Sequence, residues 1–478
     1  MTNYIFFDTE TNSGRGLADI LSINALFCSP DFKIIEEFNC EARLRKSRIY
    51  EVDSFLVNGF DPFNVDKHPN SNFELTKKTN DKFISWINKG PVLFCAHNGY
   101  SFDYMLTSQH LYSNLFTWPW IFSTGNAKQI DSLPISQNFD FYSPNMLATE
   151  LNAKNNKMFK LGSLAKMNGF EITELHTARG DTMGMKLLME LLHNKNPELF
   201  KKSISFTNKQ DVLSKIKDVD YFCHPETFFG KTRQFTTSYL CEHPVYKGYH
   251  LCFDLKHDPE VLFDDITNTD LGKKLNAAPK KYRTIKAGKN PLIQDKSNAT
   301  LYEDEYTTLG HAVLEKRANF IIKNREELAN RVSLIISDQF QDKNVDQTEP
   351  LPEEMIFSLN PSAEDKSLMN NYVVANTMED KLKIHKHFKG PLKHLSEMIL
   401  LDNYDKEAFS KEEYTRVRKD ISRRLLSTSK EAFPTIPDAM SRIDSLREEN
   451  KDNPAKLKKI ENINKHLEIL TEEHEEYL

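Results

Sequence analysis

The sequence predicts an α/β domain at the N-terminus, then a region of mixed structure, then an all-helical region. Three observations carry this. Short apolar runs, Tyr4-Ile5-Phe6-Phe7 and Val92-Leu93-Phe94-Cys95-Ala96, break into polar or acidic residues, as buried strands do where they end at a site. Apolar residues at Met183, Met185, Leu187, Leu188, Leu191 and Leu192 repeat at helical spacing. Beyond Gly310 that spacing dominates, through Val313, Leu314, Phe320, Ile321, Leu328, Val332 and Ile335, and again through Leu457, Ile460, Ile463, Leu467 and Leu470.

In chain order, strands are expected near 4–8, 21–27, 34–40 and 92–96. Helices are expected near 74–88, 103–111, 143–152, 160–168 and 181–193. Residues 1–202 make the first domain. Residues 203–350 make the second: Tyr246 to Leu255 reads as a strand, Phe229 and Phe235 flank a turn, and long helices follow from Gly310 to Phe340. Residues 351–478 are helical, and the Leu457–Leu470 stripe is expected to pack on the protein itself.

A chain of 478 residues is too long for one core, and its 39% hydrophobic content can supply several. Internal repeats and low-complexity linkers are absent from the sequence. An acidic motif arrives by residue 8 with no basic leader, and no stretch is apolar enough to cross a membrane, so a cytoplasmic protein is expected. The six cysteines are scattered without a Cys-x-x-Cys, which predicts reduced thiols rather than disulfides. Cys223-His224 and Cys241-x-His243 match no common zinc spacing. The net charge of −6 conceals an uneven distribution. Acid gathers in the tail at Glu472, Glu473, Glu475 and Glu476. Base gathers at Lys280, Lys281, Arg283, Lys286 and Lys289, and at Lys381, Lys383, Lys386, Lys389 and Lys393. Such clusters read either as solvated faces or as a phosphate track. His385, His387 and Phe388 accompany the second cluster, with Phe388 expected in the core.

The candidate site begins at Asp8-Thr9-Glu10. Residues two apart on a strand share a face, and two carboxylates side by side repel unless a cation lies between them. The stretch Asn98-Gly99-Tyr100-Ser101-Phe102-Asp103 supplies another acid after an apolar run. Asp181 falls in a first helical turn, where negative charge is favoured, and His176 lies just before it on a loop. Three acids from strands, one from a helix and one titratable His suit two-metal hydrolysis. One ion activates water, the other stabilises the leaving oxygen, and the His takes the proton.

The motifs Asp8-x-Glu10, Asn98-x-x-x-Phe102-Asp103 and His176-x-x-x-x-Asp181 resemble the three exonuclease motifs of the DEDDh superfamily, with all five functional positions filled in order. Phe159 to Gly169 and Asn196-Pro197-Glu198-Leu199-Phe200 narrow the resemblance to bacterial exonuclease I. Phe229-Gly230-Lys231, Thr236-Thr237-Ser238, Cys241-Glu242-His243-Pro244, Lys281 to Lys286 and Asn290-Pro291-Leu292 extend it downstream. The likeness is sharp up to Phe200 and thin beyond residue 340. Thr9, Asn12 and the pair Ala96-His97 depart from the family pattern, leaving the acids untouched.

The resemblance implies a ribonuclease H-like α/β catalytic domain with a mixed sheet flanked by helices. After it come an SH3-like β-barrel with added helices and an all-α C-terminal domain, the three wrapped as a clamp on single strands. It implies a processive 3′→5′ exonuclease that degrades single-stranded DNA to mononucleoside 5′-phosphates in DNA repair or recombination. Asp8, Glu10, Asp103 and Asp181 would hold two Mg²⁺ ions, with Mn²⁺ able to substitute, and His176 would be the general base. Thr9 and Thr11 would touch the terminal nucleotide. Asn98 and Phe102 would shape the substrate motif, Phe102 by packing. Lys281, Arg283 and Lys286 would contact the strand. The implied partners are single-stranded DNA and a single-strand-binding protein, with the chain a monomer away from membranes. A DEDDh exoribonuclease or oligoribonuclease shares every catalytic residue, but the large extra domains argue against it. A non-catalytic single-strand-binding scaffold would be expected to have lost one of the five positions.

Overall fold

A computed structural model of the chain describes residues 2–172, 177–341 and 349–478. Its first sheet has five strands: β1 (Asn3–Thr11), β2 (Ile20–Cys28), β3 (Ile34–Glu41), β4 (Val92–Ala96) and β5 (Ala127–Asp131), in the order β3-β2-β1-β4-β5. β1 pairs antiparallel with β2 and parallel with β4, so the sheet is mixed and its acid-bearing strand is central. Every residue of β2 and β4 is buried, as expected where both faces of a sheet are covered. β3 lies at the edge and exposes Glu37 and Glu41, charges that guard it against pairing with another chain, while Glu36 accepts from Trp86 Nε1 at 2.7 Å.

The helix Asn72–Ile87 starts at a capping box: Ser71 Oγ accepts from Glu74 N at 3.2 Å, and Glu74 Oε2 accepts from Ser71 N at 2.7 Å. It buries Phe83 and Trp86 against the sheet. There Phe7 stacks on Phe122 at 5.2 Å and meets Phe94 edge-on at 6.1 Å.

The chain forms two compact units: residues 1–127, 172–183 and 350–478 in one, residues 128–171 and 184–349 in the other. In the first, the C-terminal helices share cores with the N-terminal part. Phe73 and Tyr112 pack with Leu395 and Ile399, and Tyr50 and Phe55 pack with Ile443 and Leu467. Ile460, Ile463 and Leu467 are buried and Leu457 and Leu470 pack beside them, so the stripe faces the protein as expected. Phe388 is likewise in the core.

The second unit carries a curled antiparallel meander, the SH3-like part. Its strands, numbered after a short hairpin of β6 (Glu150–Leu151) and β7 (Lys157–Met158), are β8 (Phe222–Phe228), β9 (Lys231–Glu242), β10 (Tyr249–Asp254) and β11 (Tyr282–Lys286). A register shift at Leu251/Cys252 helps the curl. The added helices Asp304–Lys323 and Arg325–Gln341 bury Leu314, Ile321, Leu328 and Val332 against it. Phe229 occupies the β8–β9 turn itself rather than one flank. All six cysteines are buried.

One expected helix is misplaced. Residues 143–152 are not helical; the helix runs over Ser132–Tyr142 instead. Asp131 caps its start by accepting from Leu133 N at 3.0 Å, and Ser143-Pro144-Asn145 ends it, with Asn145 at φ 67°. β5 and the short helix Val52–Asn58 were also not foreseen, since neither has a distinct period.

The aromatic cluster behind β1 yields a direct test. Phe7→Ala is expected to cost about 3–5 kcal/mol, as buried aromatic truncations do. The urea midpoint of the full chain should fall with little change in slope.

Candidate active site

β1 places Asp8 and Glu10 on one face, both partly buried, at the end where the strand leaves the sheet. Asp181 sits in the first turn of the helix Ala178–Lys195, its amide donating to Thr177 O at 2.9 Å. One carboxylate oxygen from each of Asp8, Glu10 and Asp181 lies within 4.8 Å of the others, the sole such group of metal-ligand side chains among the described residues. Asp103 lies beside them, close enough to act on the charge of Asp8 and Glu10.

Asp103 opens the helix Asp103–Ser113, in line with the helix expected near 103–111 and not with a strand origin for its carboxylate. β4 ends at Ala96, Asn98 takes φ 63°, and the helix Asp103–Ser113 begins after one tight turn. Ser101 N donates to Asn98 O at 3.0 Å and Tyr104 N to Gly99 O at 3.1 Å. Only glycine fits at 99, where a Cβ would stand 2.4 Å from Ala96 Cβ and 2.9 Å from the Tyr104 ring. Thr9 Oγ1 donates to Asp103 Oδ1 at 2.7 Å and fixes that buried carboxylate.

Two ties were invisible in the sequence. Arg179 Nε donates to Glu37 Oε1 of β3 at 2.8 Å, and Thr182 Oγ1 to Asn24 O of β2 at 3.3 Å. Together they hold the Asp181 turn on the sheet. Their partners lie 142 and 158 residues away, so no local pattern reports them.

The other expected site residues are placed as follows. Thr11 Oγ1 donates to Ser13 O at 3.0 Å, and Phe102 packs against the first core. His176 lies outside the described residues. In the second unit, Arg283 is held by ions of its own unit. Its guanidinium lies 3.4 Å from Asp254 Oδ2 and from Glu226 Oε2 and 3.7 Å over the Phe235 ring. Lys281 Nζ donates to Pro279 O at 2.6 Å, and exposed Lys286 lies 5.3 Å over Tyr249. In the first unit Lys381 is buried, donating to Tyr372 O at 2.8 Å, so it leaves the proposed basic track.

Burial and the charges of Asp103, Glu10 and Asp181 hold the Asp8 carboxyl well above the usual carboxylate range. Burial first, then Asp181 and Asp103, push Glu10 up from 4.5 to about 8. A site that resists ionisation this strongly is suited to cations, since a positive ion reverses every repulsive contribution. The donor set is all oxygen, which fits Mg²⁺ or Mn²⁺.

No family model matches the chain. Over 243 residues it is 25% identical to exodeoxyribonuclease I of Buchnera aphidicola subsp. Schizaphis graminum, a match covering 48% of each chain. The match thus spans about half the length of that relative. Among solved structures, exonuclease I from Methylocaldum szegediense superposes with a TM-score of 0.81 at 16% identity, covering 98% of this chain and 100% of that one. E. coli exonuclease I in complex with a dA16 oligonucleotide gives 0.81 at 15% identity, covering 98% and 100%. An ExoI/SSB-Ct complex gives 0.80 at 14%, covering 98% and 99%. The chain therefore has the exonuclease I fold from end to end.

The raised carboxyls set a pH dependence. Between 4.5 and about 8 the folded chain keeps a proton on Glu10 that the unfolded chain has lost. The folded state binds more protons there, so stability falls as pH rises through that window. In EDTA the melting temperature should drop from pH 5 to pH 8, and Glu10→Gln should flatten the drop. Mg²⁺ should restore more at pH 8 than at pH 6. Parallel curves for parent and Glu10→Gln would remove Glu10 from this account.

Proposed function

We propose that this chain is a divalent-cation-dependent 3′→5′ exonuclease that digests single-stranded DNA, processively, to mononucleoside 5′-phosphates. The observation that carries the reading is the convergence of Asp8, Glu10 and Asp181 within 4.8 Å beside a buried Asp103. The exonuclease I fold over the whole chain and the curated relative named exodeoxyribonuclease I support it.

In this reading Asp8, Glu10, Asp103 and Asp181 would hold two Mg²⁺, with Mn²⁺ able to substitute. Bound there, the ions supply activation of water and neutralisation of the leaving 3′ oxygen. The chain's own residues do the rest. His176 accepts the proton of the attacking water. Thr9 orients Asp103 through its hydroxyl, and the turn at Asn98 and Gly99 fixes where that carboxylate projects. Residues 1–202 form the catalytic domain, with residues 203–350 and 351–478 as accessory domains that keep the strand engaged between cuts. Of the basic residues, Lys286 is the best strand contact, because it is exposed while Arg283 is committed to carboxylates. The neighbours solved with dA16 and with SSB-Ct support single-stranded DNA and a single-strand-binding protein as partners. In this reading the activity serves DNA repair or recombination.

A time course on matched single-stranded DNA and RNA, labelled at the 5′ end, with Mg²⁺ or with EDTA, tests the reading. DNA should shorten from its 3′ end in Mg²⁺ alone; preferential loss of RNA would point to an exoribonuclease. Asp8→Ala and Asp181→Ala should each abolish hydrolysis while single-strand binding survives, since strand affinity comes mainly from phosphate contacts elsewhere. Residual activity above a few per cent would take that residue out of the ion site. His176→Ala should lower turnover by about 10²–10⁴-fold, least at high pH. Parallel pH–rate profiles for parent and His176→Ala would exclude it as the base.

A further inference from the structure

A row of side chains crosses the first sheet from the site to the edge strand. Asn24 of β2 stands opposite Asp8 of β1 in the strand register, and residues directly opposite share a face of the sheet. Asn24 is fully buried, and its Nδ2 donates to Glu37 Oε1 of β3 at 3.1 Å. The same oxygen accepts from Arg179 Nε at 2.8 Å. Arg179 lies in the first turn of the helix Ala178–Lys195, two residues before Asp181. The row starts beside one acid of the site and ends two residues from another.

Thr177 fixes the same helix start. Its Oγ1 accepts from Gly180 N at 3.1 Å and its carbonyl from Asp181 N at 2.9 Å, as an N-cap does. His176 immediately precedes this cap in the chain. Whatever holds the first turn therefore limits where Asp181 sits and where the segment bearing His176 is attached.

Two features assign the Arg179–Glu37 pair to the site rather than to stability. The side chains are 56% and 33% exposed, and ion pairs this open to water add little to the stability of a fold. A cation in a first helical turn also faces the positive end of the helix, where it is disfavoured unless an anion offsets it. Glu37 is that anion. The hydrogen bond from Arg179 holds its carboxyl below the usual range against the opposing effect of burial, and Asn24 adds to the lowering.

We infer that Glu37 is a positioning residue for the hydrolysis: through Arg179 it sets the first turn of the helix, and with it the pose of Asp181 and of the segment that carries His176. Glu37 acts through Arg179 and not on the substrate. The inference rests on the exonuclease reading above and adds to it a residue of the edge strand that lies outside all three acid and His motifs.

The test is a double-mutant cycle on the full chain, with Glu37→Gln, Arg179→Gln and the two combined. Turnover of an oligothymidylate in Mg²⁺ should fall about ten- to 100-fold in each single variant, the cost of a small misplacement, with KM unchanged. The double variant should be no worse than either single one, because each substitution breaks the same link. Amide hydrogen exchange in EDTA needs neither ion nor activity. At residues 180–183 it should quicken about two- to fivefold, and to the same degree in all three variants, as loss of an exposed pair allows. The urea midpoint should stay at the parent value. Losses that add in the double variant, unchanged exchange at the turn, or a urea midpoint that falls along with turnover would overturn the inference. Activity and exchange are scored separately. If the parent cuts and both single variants cut equally well, the positioning role alone fails. If the parent cuts nothing, the exonuclease reading fails, and the exchange rates decide whether Glu37 holds the turn.

Discussion

The structure turns on a repulsion. Asp8, Glu10 and Asp181 bring carboxylate oxygens within 4.8 Å of one another, and Asp103 adds its charge from the side. Left bare and ionised, this group would push its own supports apart. It persists because each acid is anchored to an element that cannot yield separately. Asp8 and Glu10 belong to a central strand bonded on both sides, and Phe7 just before them is locked into the aromatic cluster. Asp103 is pinned by the Thr9 hydroxyl. Asp181 is pinned through its helix by Arg179 to Glu37 and by Thr182 to Asn24.

This division of labour explains where the chain spends its packing. The best-covered strands, β2 and β4, are the neighbours of the strand that carries the acids. Stability is invested behind the site so that charge can be concentrated at its mouth, a common arrangement where function opposes folding. The C-terminal helices join the same compact unit as β1, with Leu395 and Ile399 in a core shared with Phe73. The far end of the sequence thus takes part in holding the frame that faces the acids.

Much of this was legible in the sequence, for identifiable reasons. Asp8 and Glu10 could be placed together because strand alternation is a rule of geometry. Asp181 could be placed in a first turn because the apolar spacing after it is helical. The helix near 103–111 was legible, but counting its Asp103 among the strand acids was wrong, because the turn at Asn98 and Gly99 that aims this carboxylate is a matter of one left-handed residue and one missing Cβ, which no periodicity records. The helix at Ser132–Tyr142 was displaced by some ten residues for a similar reason: its cap, Asp131, is a single side chain. Arg283 and Lys381 looked like open cations. Their partners, Asp254, Glu226 and the Tyr372 carbonyl, are fixed by tertiary packing that a count of charges cannot show.

The most direct measurement of the central claim is the proton count of ion binding. Calorimetric titration of Mn²⁺ into the full chain at pH 7, in buffers of differing ionisation enthalpy, gives the protons released per ion. A carboxyl pushed up to about 8 is largely protonated at that pH and must give up its proton to a cation. The account predicts a release approaching one proton from Glu10, with more from Asp8, and a smaller release in Glu10→Gln. Mn²⁺ binding with no proton release, or no saturable binding at all, would contradict it.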